Sequence, residues 1–277
     1  MNFNAVVVLY NPDAAVIDNI KTYIDSVDFL FIYDNSEDPS FRQLVDVSLP
    51  VGKVKYIFLN GNKGIAFPIN CAIQDCLNNK VECLLTMDQD SSFVDVESMK
   101  SYIINDPEFY SVGIYSPFHN TGTRDIPSQD VSLVKSVMTS GNFINVKLIN
   151  SIGNLREDFF IDCIDHELCA QVINHGLLIK QVNFCVLHHG LGSSIKKFLG
   201  YEITNHSPLR RYYITRNSLY LIEAFMFKKT RFSLGYLKSF VMNTLVSLAF
   251  EPDKTKKIKY ITKGVIHYLT RKSGKYS

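Results

Sequence analysis

Val81-Glu82-Cys83-Leu84-Leu85-Thr86-Met87-Asp88-Gln89-Asp90 decides how this chain is read. A short apolar run, interrupted by Glu82 near its start and Thr86 near its end, stops at two carboxylates two positions apart. Continuous runs of this kind suit strands buried on both faces, as in parallel sheets covered by helices. Working outward, the arrangement recurs. Residues 5–9 run into Tyr10-Asn11-Pro12, residues 29–33 into Asp34-Asn35-Ser36, and residues 55–59 into Asn60-Gly61-Asn62-Lys63-Gly64. Between these runs Ile17, Ile20, Ile24 and Val27, and then Ile65, Ile69, Ile73 and Leu77, fall at helical spacing. Such alternation predicts an α/β fold with right-handed helical crossovers. Ligands bind such sheets at the carboxyl ends of the strands, and here all four ends are polar.

After Ser92 the alternation loosens. Residues 119–130 read as an exposed loop, 133–138 as a strand and 165–175 as a helix, with helix from Arg216 onward broken at Glu251-Pro252-Asp253. The length, 277 residues, suits one large domain, 1–227, with a basic amphipathic helical tail at 228–277. A composition 46% hydrophobic and 20% charged excludes a largely disordered chain. No apolar run reaches spanning length, and no basic-then-apolar leader opens the chain. The six cysteines, none in a C-x-x-C pair, are therefore expected as reduced, buried thiols of a cytoplasmic protein. From Lys228 to the end, twelve Lys and Arg face only Glu251 and Asp253. A basic tail meets a polyanion, and the body lacks a basic stripe with interleaved aromatics. That excludes nucleic acid as the expected partner and favours an anionic membrane surface.

Two carboxylates at a strand end, Asp88 and Asp90, can converge on a hard cation such as Mg²⁺ or Mn²⁺, which commonly bridges to substrate phosphates. An acidic strand-end turn is the structural alternative. Asp162, Asp165, His166 and Glu167 alternate with apolar residues at the start of a predicted helix, where a carboxylate serves as general base or merely as a cap. Adjacent His188 and His189 point different ways, so at most one is a ligand. Arg210 and Arg211, before Tyr212-Tyr213, suit a diphosphate or a glycan, since guanidinium forks onto phosphate oxygens. They equally suit a surface helix.

Together and in this order, VVVLYNPD, IYDNS, NGNKGIAFPIN, LLTMDQDS, VMTSGNFI, FFIDCIDHELCAQVINHG, HHGLGSS and HSPLRRYYITRN resemble glycosyltransferase family 2. The branch they resemble is that of the bacterial rhamnosyltransferases of O-antigen and related cell-surface polysaccharides. The resemblance covers residues 6 to 217. It implies a GT-A fold, with Tyr10, Asn11 and Asp34 at the nucleoside and Asn62 and Gly64 nearby. Asp88 and Asp90 match the DxD that binds metal and diphosphate, and Gly141 the segment beside the sugar. It further implies Asp165 as general base with Glu167 as its acidic companion, and His189 as a further metal ligand. Asp162, Arg210 and Arg211 fall on the acceptor side. Many members carry Glu-Asp where this chain has Ile164-Asp165, which leaves Asp162 as the carboxylate that could substitute.

The implied activity is single in-line displacement with inversion, dependent on Mn²⁺ or Mg²⁺. The donor would be dTDP-L-rhamnose, or else UDP-galactofuranose or a UDP-hexose. The acceptor would be a lipid-linked or growing glycan at the inner face of the cell membrane. A protein of the same fold that binds sugar nucleotides without turnover is the non-enzymatic alternative. An oxidoreductase is disfavoured because no G-x-G-x-x-G follows residues 5–9. The apolar stripe Leu234, Leu237, Val241, Leu245 and Leu248 would lie on the bilayer, or pack on protein, including a second copy of the chain.

Overall fold

The computed structural model describes residues 1–120, 125–189, 196–198, 201–226 and 231–276. They form two compact units: Met1–Leu155 with Gln171–Leu191, and Arg156–Ala170 with Gly192–Ser277.

The first unit opens as expected. β1 (Phe3–Leu9), α1 (Ala15–Lys21), β2 (Phe29–Asp34), α2 (Phe41–Ser48), β3 (Val54–Phe58), α3 (Ala66–Asn78) and β4 (Cys83–Asp88) alternate. β1 lies between β2 and β4, β3 flanks β2, and all these pairings are parallel. Ala5, Val6, Val7, Leu84, Leu85 and Met87 are buried, so β1 and β4 are covered on both faces, as their largely apolar runs require. The helical stripe at Ile17–Val27 is shorter than read: α1 ends at Lys21 and Ile24–Ser26 is a 3₁₀ turn.

The remaining elements are β5 (Ser91–Phe93), α4 (Val96–Asn105), β6 (Val112–Asn120), β7 (Val131–Leu133), β8 (Asn142–Asn145), α5 (Val146–Ile152), α6 (Ile164–Asn174) and β9 (Leu178–His189). Their strands extend the sheet to the order β3-β2-β1-β4-β8-β6-β9-β5, with β7 also on β9. β8 is antiparallel to β4 and β6, which interrupts the parallel pattern; β6 and β9 pair parallel again, and β5 and β7 are antiparallel to β9. The strand expected at 133–138 is β7, set earlier and cut short. Val134 donates the last ladder bond, to the Ile179 carbonyl, before the chain turns inward to bury Val137.

The second unit takes the start of α6, the pair β10 (Lys196–Phe198) and β11 (Tyr201–Ile203), and the helices α7 (Pro208–Met226), α8 (Arg231–Phe250) and α9 (Lys254–Leu269). The break between α8 and α9 falls at Glu251-Pro252-Asp253, as read. Among the described residues no helix is long and apolar enough to cross a membrane.

Candidate active site

In the first unit, hydrogen bonds tie the carboxyl ends of the parallel strands together. The Asn35 amide donates to the Leu9 carbonyl, and the Asn11 amide donates to Ser36 Oγ at 2.8 Å. The Asn35 side chain donates to the Gly64 carbonyl and accepts from the Lys63 amide, both at 2.9 Å, fastening the loop after β3. Asn62 Oδ1 accepts the Gly64 amide at 2.8 Å. Asn11, Asn60, Gly61 and Gly64 adopt positive φ, a conformation that Asn and Gly tolerate best. Tyr10 is 50% exposed, whereas Asp34 is buried and accepts from the Ser36 amide and the Tyr56 hydroxyl. Burial, and then the bond to Asp34, push the Tyr56 phenol well above its ordinary value.

The Asp88-Gln89-Asp90 turn belongs to the same ensemble. Gln89 accepts the Tyr10 amide at 2.8 Å and donates back to the Tyr10 carbonyl, while Asn19 donates to the Gln89 carbonyl. The Asp88 amide donates to Ser140 Oγ at 3.0 Å; Ser140 Oγ donates to Ser91 Oγ, and the Ser140 carbonyl meets His119 Nε2 at 2.7 Å. Gly141 is fixed here by conformation and by space. Its φ is +78°, and a Cβ would sit 2.8 Å from Leu187 and 2.9 Å from Pro117. Asp88 is half-buried and Asp90 exposed at the mouth of this turn. Among the described residues no three His, Cys, Asp or Glu side chains gather as a preformed metal centre. Two carboxylates at a strand end nevertheless fit a Mg²⁺- or Mn²⁺-type ion, which keeps waters and draws remaining ligands from substrate phosphates. His189 pairs with Ser91 through the backbone of β9, but its side chain lies outside the described residues.

In the second unit, Asp165 stands half-buried on the first turn of α6, its Oδ1 accepting the His166 amide at 2.8 Å. Glu167 is buried two positions on. Before α6 the chain is strained: Phe160, Asp162 and Cys163 hold φ of 65°, 64° and 66°. Left-handed non-glycine residues cost about 1–3 kcal/mol each and persist where surrounding structure enforces them. The Asp162 side chain, 8% exposed, accepts from Arg210 at 2.9 Å. Burial raises its carboxyl above the usual value, only partly offset by Arg210.

The two arginines singled out in the sequence therefore differ. Arg210 is exposed and reaches Asp162; Arg211 is buried and bonds Glu251 at 2.5 Å and Thr204 at 3.1 Å. Glu251 also accepts from Lys257 and Ser247, both at 2.7 Å. Burial would raise this carboxyl, but the donors outweigh it and hold it at about 2. Sequence reasoning missed Tyr56, Gln89 and His119, and also buried Arg216 and Asn217, which quoted motifs contain without a role. Gln89 stood inside the acidic turn, the one signal that could have found it.

No protein-family profile matches the chain. Among curated proteins it is similar to the dTDP-rhamnosyl transferase RfbF of Shigella flexneri, 28% identical over 241 residues and 80% of each chain. Among solved structures, S. aureus TarS 1-349 with UDP-GlcNAc matches with TM-score 0.53 and 13% identity over 100% of this chain and 93% of that one. GalNAc-T7 with UDP, GalNAc and Mn²⁺ matches with TM-score 0.62 and 11% identity over 98% and 57%. The chain spans 44% of a longer TarS chain, at TM-score 0.55 and 14% identity. The chain has the GT-A fold of these solved structures, and in sequence it is similar to a glycosyltransferase. Within that class its curated relative is a rhamnosyl transferase.

Proposed function

We propose that this protein is an inverting, metal-dependent glycosyltransferase that moves L-rhamnose from dTDP-L-rhamnose onto a lipid-linked or growing polysaccharide. The observation that carries the reading is the bonded ensemble of strand ends, in which Gln89 and Ser140 fix the Asp88–Asp90 turn beside Tyr10 and Gly141. Tyr10, Asn11, Asp34, Asn62 and Gly64 would receive the nucleotide in this unit, the transferase domain being residues 1–227. A Mg²⁺ or Mn²⁺ ion held by Asp88 and Asp90, with His189 as a further ligand, would offset the charge on the departing diphosphate. Asp165 takes the proton from the acceptor hydroxyl as that oxygen attacks the anomeric carbon from the face opposite the leaving group. The carbon–oxygen bond to the diphosphate breaks, and its electron pair leaves with the nucleoside diphosphate. Glu167 and the Asp162–Arg210 pair would order the acceptor side, whereas Arg211 is engaged with Glu251.

A UDP-linked sugar is the second reading, because the TarS structure holds UDP-GlcNAc and the GalNAc-T7 structure UDP. Nucleoside-diphosphate release from a panel of dTDP-L-rhamnose, UDP-galactofuranose, UDP-glucose and UDP-GlcNAc separates the two. Turnover should be highest with dTDP-L-rhamnose, stop in EDTA and return with Mn²⁺ or Mg²⁺. Full activity in chelator would remove the metal, and no release from any donor would remove the enzyme.

The tail, residues 228–277, is proposed to place the enzyme on an anionic bilayer, where a lipid-linked acceptor resides. On α9, Ile258, Val265, Ile266 and Leu269 are exposed on the side away from buried Lys257 and Gly264, and exposed Lys254, Lys256 and Lys259 flank them. An outward apolar strip rimmed by lysine fits the interface of an anionic membrane.

A further inference from the structure

Arg216 and Asn217 are adjacent, buried residues of α7, and both are aimed at the strained loop that leads into α6. The Asn217 amide nitrogen lies within hydrogen-bond distance of the Phe159, Ile161 and Asp162 carbonyl oxygens, at 3.0, 2.8 and 3.0 Å. Arg216 Nη2 donates to the carbonyls of Asp158 and Phe159 at 3.3 and 3.1 Å. Its Nε donates to Asn217 Oδ1 at 3.0 Å, which turns the NH₂ end of that amide toward the loop. Its Nη1 is anchored on the Gly274 carbonyl and the Tyr212 hydroxyl, and its guanidinium lies 5.2 Å from the ring centres of both Tyr212 and Tyr213. On the first turn of α7 Arg210 holds the Asp162 carboxylate, and next to Asn217 the Ser218 Oγ lies 3.5 Å from Cys163 Sγ. The loop is thus gripped from one helix on its carbonyls, its carboxylate and its thiol. The Cys163 carbonyl then accepts the Glu167 amide, which starts α6 and sets the direction of its first turn.

We propose that Arg216 and Asn217 are positioning residues, holding residues 159–163 in the left-handed path that fixes where Asp165 points. A purely space-filling pair would need no such convergence on one loop's carbonyls. The three positive-φ residues would relax toward ordinary conformations without those donors, and the first turn of α6 would rotate with them. The inference rests on Asp165 being the general base.

The test is a double-mutant cycle in the full-length protein. Asn217→Asp keeps size and shape but removes both amide protons and presents an oxygen to the three carbonyls. It should lower kcat about 10²-fold, the scale of a misplaced catalytic group, with donor Kd changed less than about twofold. Asn217→Asp combined with Asp165→Asn should be no slower than Asp165→Asn alone, because both changes act on one step. Wild-type kcat in Asn217→Asp, or losses that multiply in full in the double variant, would overturn the proposal. Should that variant not fold, Arg216→Lys keeps the cation and loses the fork, and the same non-additivity with Asp165→Asn decides. Wild-type turnover in Asp165→Asn alone would instead overturn the assignment of the base.

Discussion

Asp162 and Asp165 are three positions apart in sequence and differ sharply in surroundings. Asp162 is almost enclosed, raised by burial and committed to Arg210; Asp165 is half-buried on the first turn of a helix. The open carboxylate suits proton transfer to an incoming group, the enclosed one suits holding a shape. Asp165→Asn should lower kcat by roughly 10²–10⁴ while donor affinity stays unchanged, measured by steady-state kinetics and donor titration. A large loss in Asp162→Asn with none in Asp165→Asn would move the base to Asp162. At Gly141 the constraint is steric. Gly141→Ala demands a positive φ and places its methyl carbon 2.8 Å from Leu187, so it should destabilise the protein by about 1–3 kcal/mol in denaturant unfolding. Unchanged stability would mean that Leu187 and Pro117 give way freely.

At the scale of elements, the parallel half was legible because burial on both faces writes a nearly continuous apolar run. β1 and β4 carry that pattern, and the polar residues that stop them are the strand ends tied together in the structure. The second half was not legible, because its pairings are remote in sequence. β9 pairs with β6 along most of its length and with β7 and β5 toward its two ends, and shifts register against β6 near Pro117, so no local period announces it. Helix α6 was legible from charged residues alternating with apolar ones; the path before it was not, since three positive-φ non-glycine residues leave no trace in composition. Arg216 was hidden for a related reason, as a buried cation reads in sequence like a surface one. The ends of α8 and α9 meet at a further buried ionic cluster, where Glu251 joins Arg211, Lys257 and Ser247. Its carboxyl sits at about 2 against an ordinary 4.5. A depressed carboxylate adds stability above its unfolded pKa and loses it as pH falls through the folded one, so the contribution should vanish between about pH 4.5 and 2. The shift corresponds to about 3 kcal/mol. Unfolding followed by circular dichroism at pH 5 and pH 3 should show that loss, and Glu251→Gln should flatten it. An equal acid dependence in the variant would assign the loss to other carboxylates.

For the molecule as a whole, charge separates the two ends of the chain. After Asp253 come eight Lys and Arg and no Asp or Glu. Each basic side chain near an anionic surface contributes about 1 kcal/mol, enough in sum for reversible attachment. Vesicles rich in phosphatidylglycerol should carry the intact protein upward in flotation at low salt and release it at high salt. Replacing Lys254, Lys256 and Lys259 with Gln should weaken the attachment. Indifference to such vesicles would leave the exposed strip of α9 to a second copy of the chain, which sedimentation would then detect. The central claim, inverting transfer of a sugar, is tested most directly by the anomeric configuration of the product. The protein, dTDP-L-rhamnose, Mn²⁺ and a lipid-linked glycan acceptor should yield, by proton NMR, an α-L-rhamnoside from the β-linked donor. A β-linked product would contradict a single displacement, and an acceptor returned unchanged with every donor would contradict the transferase itself.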